Sequence, residues 1–350
     1  VKNIGEKHGG KEVVQLYIEK PCGMLGNPSR ILAGFAKTKS LMPNDEETVS
    51  IYVSKQQLAS YDDSGKTGNK SAYVIEKGEY GFYIGNNVRD TEKVHTYHQP
   101  ETVVSEQLEE ASAPKECFDI FTAKEENGKR IVAKTAVSTA ATKLKDIILT
   151  NLPKGVEYTG DKGYKLSQVK SGEISLDDFV AQLDLEELEA ITRGAYIMNS
   201  PLGAEGNAGT YGGVLPSLRD KGVPAVTTTD GPSGIRLKAC CSLIPIGTLL
   251  ACTFDEKLVE ELYEAVGQEM LEKKSDILLA PGMNIHRNPL CGRNFEYYSE
   301  DPYVTGKIAA AAVKGLQKTG VSACPKHFAC NNQEFRRNSN DSRLSERALI

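Results

Sequence analysis

Val223-Pro224-Ala225-Val226-Thr227-Thr228-Thr229-Asp230-Gly231-Pro232-Ser233-Gly234-Ile235-Arg236 is the stretch on which the reading of this chain turns. It begins as a β-branched run with the character of a buried strand and ends on a carboxylate followed by a Gly-Pro turn. The same pattern returns twice. A strand at Asp276–Ala280 leads into Pro281-Gly282-Met283-Asn284-Ile285-His286-Arg287, and a strand at Val321–Cys324 leads into Lys326-His327-Phe328. Helical periodicity fills the gaps. The spacing predicts a helix over about 254–273, with Thr253 as N-cap, Glu256 completing a capping box, and Leu258, Leu262, Val266 and Met270 along one face. A second helix opens at Pro302 and runs to about Lys318. Alternating strands and helices predict a parallel sheet, whose carboxyl ends gather reactive groups on one rim.

Each of the three strand ends delivers a turn and ionisable side chains to that rim. The first gives Asp230 and Arg236; the second leads to Cys291-Gly292-Arg293-Asn294-Phe295-Glu296; the third gives Lys326 and His327. One carboxylate among several cations suits a polyhydroxylated or anionic ligand. Each residue also has a plain structural reading. Asp230 before Gly-Pro fits an Asx turn, Arg293 with Glu296 a structural ion pair, and Lys326-His327 a solvated loop. Cys324, His327 and Cys330 match no standard zinc spacing and lack an evident fourth ligand, so no metal is expected. Ser275-Asp276 opens a strand, the wrong end of the sheet for chemistry, and reads as structural.

Toward the N-terminus the period changes. Lys11–Ile18, Thr48–Val53 and Tyr80–Gly85 carry β-type runs, separated by turns at Asn27-Pro28-Ser29, Pro43-Asn44-Asp45 and Asp62-Asp63-Ser64-Gly65. This spacing predicts a small antiparallel sandwich over residues 1–95. Residues 96–180, charge-rich at Glu106–Glu110 and Lys124–Arg130, read as a linking segment with some helix, and residues 181–350 as the α/β domain. The Asp184–Ala190 segment reads as helix.

The composition excludes several classes. Forty-two Lys and Arg against 47 Asp and Glu leave a net charge of −5, which argues against a phosphate-backbone binder, so no nucleic-acid partner is expected. The longest uncharged stretch, Ala239–Phe254, has 16 residues and is broken by Pro245 and Gly247, short of a spanning helix, so no membrane partner is expected either. Eight cysteines in 350 residues are too dilute for a disulfide scaffold, and reduced thiols favour a cytoplasmic setting. The opening Val1-Lys2-Asn3-Ile4-Gly5 reads like the interior of a domain, so the expectation is a fragment.

Taken in order, Thr229–Arg236, Ala280–Pro302, Lys326–Phe328 and Ser345-Glu346-Arg347-Ala348-Leu349 closely resemble the catalytic barrel of glycoside hydrolase family 3. The front segment, with Gly10-Lys11-Glu12-Val13-Val14-Gln15-Leu16-Tyr17, resembles the fibronectin type III-like domain that accompanies many β-glucosidases of that family. A sandwich ahead of a barrel is similar to the rearranged bacterial members, in which an α/β sandwich domain leads. The fold implied is a multidomain one: an all-β fibronectin type III-like sandwich followed by an incomplete (β/α)8 TIM barrel. The resemblance implies retaining hydrolysis of terminal β-D-glucosyl residues by two carboxylates. The family's nucleophile, on a later barrel strand, is then expected beyond Ile350 and its acid/base before Val1, so no catalytic residue is assigned within the chain. What carries over is sugar binding: Asp230 as acceptor, Arg293, Lys326 and His327 as donors, Arg236 and Arg337 as supports. Ser233 stands where the family commonly has Asn, and Cys291 is expected to pack. The expected partner is a β-glucoside or short β-linked oligosaccharide, with no cofactor; a homo-oligomer is left open. A β-xylosidase of the same family and a non-catalytic carbohydrate-binding module are the alternatives.

Overall fold

The computed structural model describes residues 1–350, which divide into two compact units: Val1–Asn151 with Ser339–Ile350, and Leu152–Asn338.

The first unit is built on antiparallel pairing. Strands β1 (Val13–Glu19), β2 (Ile31–Lys37), β5 (Gly78–Gly85) and β6 (Thr91–Gln99) form one sheet in the order β2-β1-β5-β6. Strands β3 (Ser60–Asp62), β4 (Ala72–Ile75) and β7 (Val103–Gln107) form a second. Ile18, Ala33, Leu58, Ala59, Ile75 and Tyr80 make the core, the sandwich arrangement in which inward residues of successive strands meet. Thr48–Val53, expected as a strand, enters no ladder. Its alternation still has a use, because Val53 packs on the core and Ile51 fills the space left by Gly34, where a Cβ would come within 2.3 Å of the Ile51 side chain.

The segment expected to link the domains with some helix contains sheet as well. Strand β6 runs to Gln99 and β7 follows, and β8 (Asp119–Glu126) pairs with β9 (Lys129–Ala136) in a hairpin. The turn is Asn127-Gly128, both at positive φ, as a type I′ hairpin requires. The flanking charges masked that signal. A short helix, α1 (Leu144–Thr150), ends this part.

The second unit begins with α2 (Leu166–Ser171), α3 (Leu176–Ala181) and α4 (Leu185–Arg193); Phe179 of α3, Ala190 of α4 and Leu183 between them pack with Leu218. Then come β10 (Gly209–Gly212), α5 (Pro216–Asp220), β11 (Ala225–Asp230), α6 (Gly247–Cys252), α7 (Glu256–Glu272), β12 (Ile277–Leu279), α8 (Pro302–Lys318) and β13 (Ser322–Ala323). The sheet order is β10-β11-β12-β13; β11, β12 and β13 are parallel as expected, whereas β10 runs antiparallel. These four strands form an open sheet and no closed barrel. No helix is long and apolar enough to cross a membrane.

Helix α7 corrects the sequence reading in two ways. Its N-cap is Asp255, whose carboxylate accepts from Leu258 N at 3.1 Å, in place of Thr253. Its buried face is Val259, Tyr263, Val266, Gly267 and Met270, while Leu258 is exposed. The face is turned because α8 lies close: a Cβ on Gly315 would stand 2.2 Å from Glu260 O and 3.0 Å from Tyr263 Cβ. Helix α9 (Glu346–Leu349), capped by Ser345, packs within the first unit, although the sequence reading grouped it with the α/β domain.

Candidate functional site

Strand β11 carries Asp230 to its carboxyl end, and the turn behind it can be made only by glycine. Gly231 and Gly234 sit at φ +151° and +118°, and a Cβ on either would lie 2.1 Å from Gly234 O or 2.4 Å from Ser242 O. The turn folds back so that Arg236 N donates to Asp230 O at 2.9 Å, and the Arg236 guanidinium reaches the Asp230 carboxylate at 3.0 Å. Lys326 arrives from the far side of the sheet. The parallel ladder continues past β12 and β13 through a bridge between Gly282 and Lys326, with Met283 N donating to Lys326 O at 2.8 Å, and this sets Lys326 Nζ 2.5 Å from Asp230 Oδ1.

Exposure separates the two cations: the Lys326 side chain is 14% exposed, Asp230 32% and Arg236 74%. Burial alone would raise the Asp230 carboxyl, but the hydrogen bond and charge of Lys326, then those of Arg236, hold it below the ordinary carboxylate value. Asp230 is therefore an ionised acceptor across the neutral range.

A second cluster adjoins it through His327. Arg293 Nε donates to the buried Glu296 carboxylate at 2.8 Å and its Nη1 lies 3.8 Å from Glu334, which also pairs with the exposed Arg337 at 3.2 Å. The His327 ring meets Tyr297 Oη at 3.0 Å and Asn284 Oδ1 at 3.3 Å through Nδ1. Asn284 also brackets the His327 backbone, accepting from N at 2.9 Å and donating to O at 3.0 Å. Burial, then the charges of Arg293 and Lys326, push the His327 imidazole down to about 4, so it is neutral at pH 7.

The structure thus gathers Asp230, Arg236, Lys326, His327 and Arg293 in one chain of contacts, and reaches Arg337 only through Glu334. Sequence reasoning gave no role to Asn284, Tyr297, Asn331 or Glu334. Asn284 and Tyr297 stand inside the Ala280–Pro302 motif; nothing in the sequence marks Asn331 or Glu334, because the contacts that tie them to the rim, Asn331 to Tyr297 and Glu334 to Arg293, join residues distant in the chain. Cys291 is buried and its Sγ donates to Asn331 O at 3.8 Å, a packing position. At the other end of the sheet, Asp276 accepts from Thr227 N at 2.7 Å and Ser275 bonds Thr229, which are structural contacts.

This rim of strand-end carboxylate and cations lies within the second unit, and each unit contains a segment that matches a known domain. Residues 12–88 match the fibronectin type III-like domain and residues 162–341, half the chain, match the glycosyl hydrolase family 3 N-terminal domain; the chain belongs to glycosyl hydrolase family 3. It is similar along its whole length to the β-glucosidase of Ruminococcus albus, at 47% identity, covering 36% of that protein, and to β-glucosidase A of Butyrivibrio fibrisolvens, at 40% identity, covering 43%. Among solved structures it is similar to a β-glucosidase from Paenibacillus barengoltzii, with 46% identity and a TM-score of 0.95 over 99% of this chain and 38% of that one. The chain therefore spans roughly two fifths of the proteins it resembles.

Proposed function

We propose that this chain supplies the sugar-binding rim of a retaining β-glucosidase that removes terminal non-reducing β-D-glucosyl residues. The observation that carries the reading is Asp230, an ionised strand-end carboxylate that stays 32% exposed while Lys326 holds its Oδ1 and Arg236 its Oδ2. A pyranose presents hydroxyls that both donate and accept. Asp230 accepts from them; Lys326, whose ammonium has three protons and one protein carboxylate partner, donates; His327 and Arg293 extend the row of donors. Hydrogen bonds to charged groups contribute about 1.5–3 kcal/mol each, so two or three suffice for a millimolar to micromolar sugar.

The carboxylates near this rim have other work: Glu296 and Glu334 are engaged with Arg293 and Arg337. From the resemblance to the family, whose nucleophile stands on a later barrel strand and whose acid/base stands in the α/β sandwich domain, the nucleophile and the acid/base are assigned to parts of the gene product outside these 350 residues, and the open β10–β13 sheet to the first strands of a (β/α)8 barrel. Likeness over the full chain to β-glucosidases supports the substrate class.

The test has two arms. Glucose titrated into the 350-residue chain should bind, and Asp230→Asn should abolish binding; no binding by the chain or by the complete gene product overturns the rim. The complete gene product should hydrolyse an aryl β-glucoside while the 350-residue chain does not. Near-normal turnover by the chain alone would overturn the placement of the two carboxylates.

A further inference from the structure

His327 has two ring nitrogens, and only one of them meets the protein. Nδ1 faces Tyr297 Oη at 3.0 Å, whereas Nε2 has no protein partner and is not closed off from solvent. Which nitrogen carries the proton decides whether the open edge of the ring donates or accepts. A neutral imidazole can do only one of these at each nitrogen.

The neighbours of Tyr297 resolve the question by elimination. Glu334 is an ionised carboxylate, held below the ordinary range by Asn331, Arg293 and Arg337 against its own burial, so it can only accept. Asn331 must therefore turn its amide nitrogen toward it, and Nδ2 lies 2.6 Å from Glu334 Oε1. The same Nδ2 lies 2.7 Å from Tyr297 Oη, so its second proton is donated to the phenol oxygen. Tyr297 is fully buried, and burial raises its hydroxyl to about 12, so it keeps its proton. With its oxygen accepting from Asn331, that proton points to His327 Nδ1. The competing acceptor for an Nδ1–H, Asn284 Oδ1, is farther away at 3.3 Å and already accepts from His327 N at 2.9 Å.

We propose that Tyr297, oriented by Asn331 and Glu334, fixes His327 as the Nε2–H tautomer, making the open edge of the ring a hydrogen-bond donor toward a ligand hydroxyl. Tyr297 is a positioning residue: it acts through His327 and need not touch the sugar. The inference rests on the sugar-rim reading only for the identity of the ligand; the tautomer itself is a property of the ligand-free chain.

The experiment is nitrogen-15 NMR of the 350-residue chain labelled at histidine, with the His327 ring assigned by its loss in His327→Gln. At pH 7, Nδ1 should resonate as an unprotonated ring nitrogen and Nε2 as a protonated one. In Tyr297→Phe, which keeps the ring and removes only the hydroxyl, the single tautomer should give way to a mixture, and glucose affinity should fall about tenfold, the loss of roughly one hydrogen bond. A protonated Nδ1 in the wild-type chain overturns the proposal, as does an unchanged tautomer in a folded Tyr297→Phe. The wild-type spectrum decides the matter if the variant does not fold. If the tautomer is as stated but glucose leaves the Nε2 signal unmoved, it is the sugar-binding reading that fails and this one that stands.

Discussion

The molecule holds two clusters of charge that are similar in residue type and opposite in design. In the first unit, the Arg347 guanidinium donates to Leu25 O and to Asn27 Oδ1, Asn27 donates to Pro21 O and Glu76 Oε2, and Glu76 Oε1 accepts from Met24 N at 2.6 Å. Ser60 bridges Asn27 to Lys20. Lys20, Asn27, Ser60 and Glu76 are all buried, and burial, then Arg347, pushes Lys20 down to about 8. In the second unit, Asp230, Arg236, Lys326, His327 and Arg293 retain unmet donors and an accessible carboxylate face. A charge whose bonding capacity is met by its own protein holds a fold together, since a buried polar group left unpartnered is costly. A charge held in place but incompletely engaged can bind something else.

That contrast breaks most sharply at Asp230. Asp230→Ala in the complete gene product should lower kcat/KM on an aryl β-glucoside by about a hundredfold or more, the loss of two charge-assisted hydrogen bonds, each about 1.5–3 kcal/mol. The unfolding midpoint of the second unit should change little by comparison. If stability collapses and kinetics survive, Asp230 belongs with the architectural cluster.

Arg347→Ala should do the reverse. It strips two hydrogen bonds from a buried network and leaves Asn27 and the Leu25 carbonyl short of donors, which costs about 2–3 kcal/mol. The expected result in denaturant titration is an earlier transition of the first unit with glucose binding to the rim unchanged.

Acid should separate the units as well. His327 is held at about 4 in the folded second unit and returns to an ordinary value near 6.5 when unfolded. Between those limits the unfolded state binds more protons, so stability is greatest above about pH 6.5 and declines as pH falls toward 4, by at most about 1.4 kcal/mol per pH unit and by less because the ring is partly exposed. In the first unit the groups that titrate in this acid range from a lowered value are carboxylates, Asp62 and Glu110, whereas Lys20, at about 8, stays charged throughout it. Glu110, lowered to about 2 by Lys70 and the backbone of residues 141 and 142 against its burial, contributes stability that is lost only as pH falls below about 4.5. Thermal unfolding between pH 6.5 and 4.5 should therefore weaken the second unit first, and His327→Gln should flatten its slope.

How far the sequence revealed these two clusters depends on how local their causes are. Asp230 with its glycine turn, the start of α8 at Pro302 and the parallel order of β11, β12 and β13 follow from residues adjacent in the chain, and all were legible. The hairpin turn at Asn127-Gly128 is legible too, although the charges around it read as a linking segment. The face of α7 was not, because it is set by the close approach of Gly315 from another helix. Arg347 illustrates the limit: it stands in the Ser345–Leu349 motif, yet its partners Leu25 and Asn27 lie more than 300 residues away, and nothing local records that distance.

The smallest expected effect tests the comparison within the rim itself. Arg236 and Lys326 both touch Asp230, but Arg236 is 74% exposed and Lys326 14%. An exposed ion pair contributes about 0–1 kcal/mol, being screened by solvent and opposed by side-chain entropy. Arg236→Ala should accordingly weaken glucose binding no more than about fivefold, and the loss should shrink further in high salt. Lys326→Ala should exceed it by about tenfold, because it leaves the carboxylate without its less exposed partner. Equal losses from the two substitutions would mean that exposure does not rank these cations, and that Arg236 closes over the sugar once it is bound.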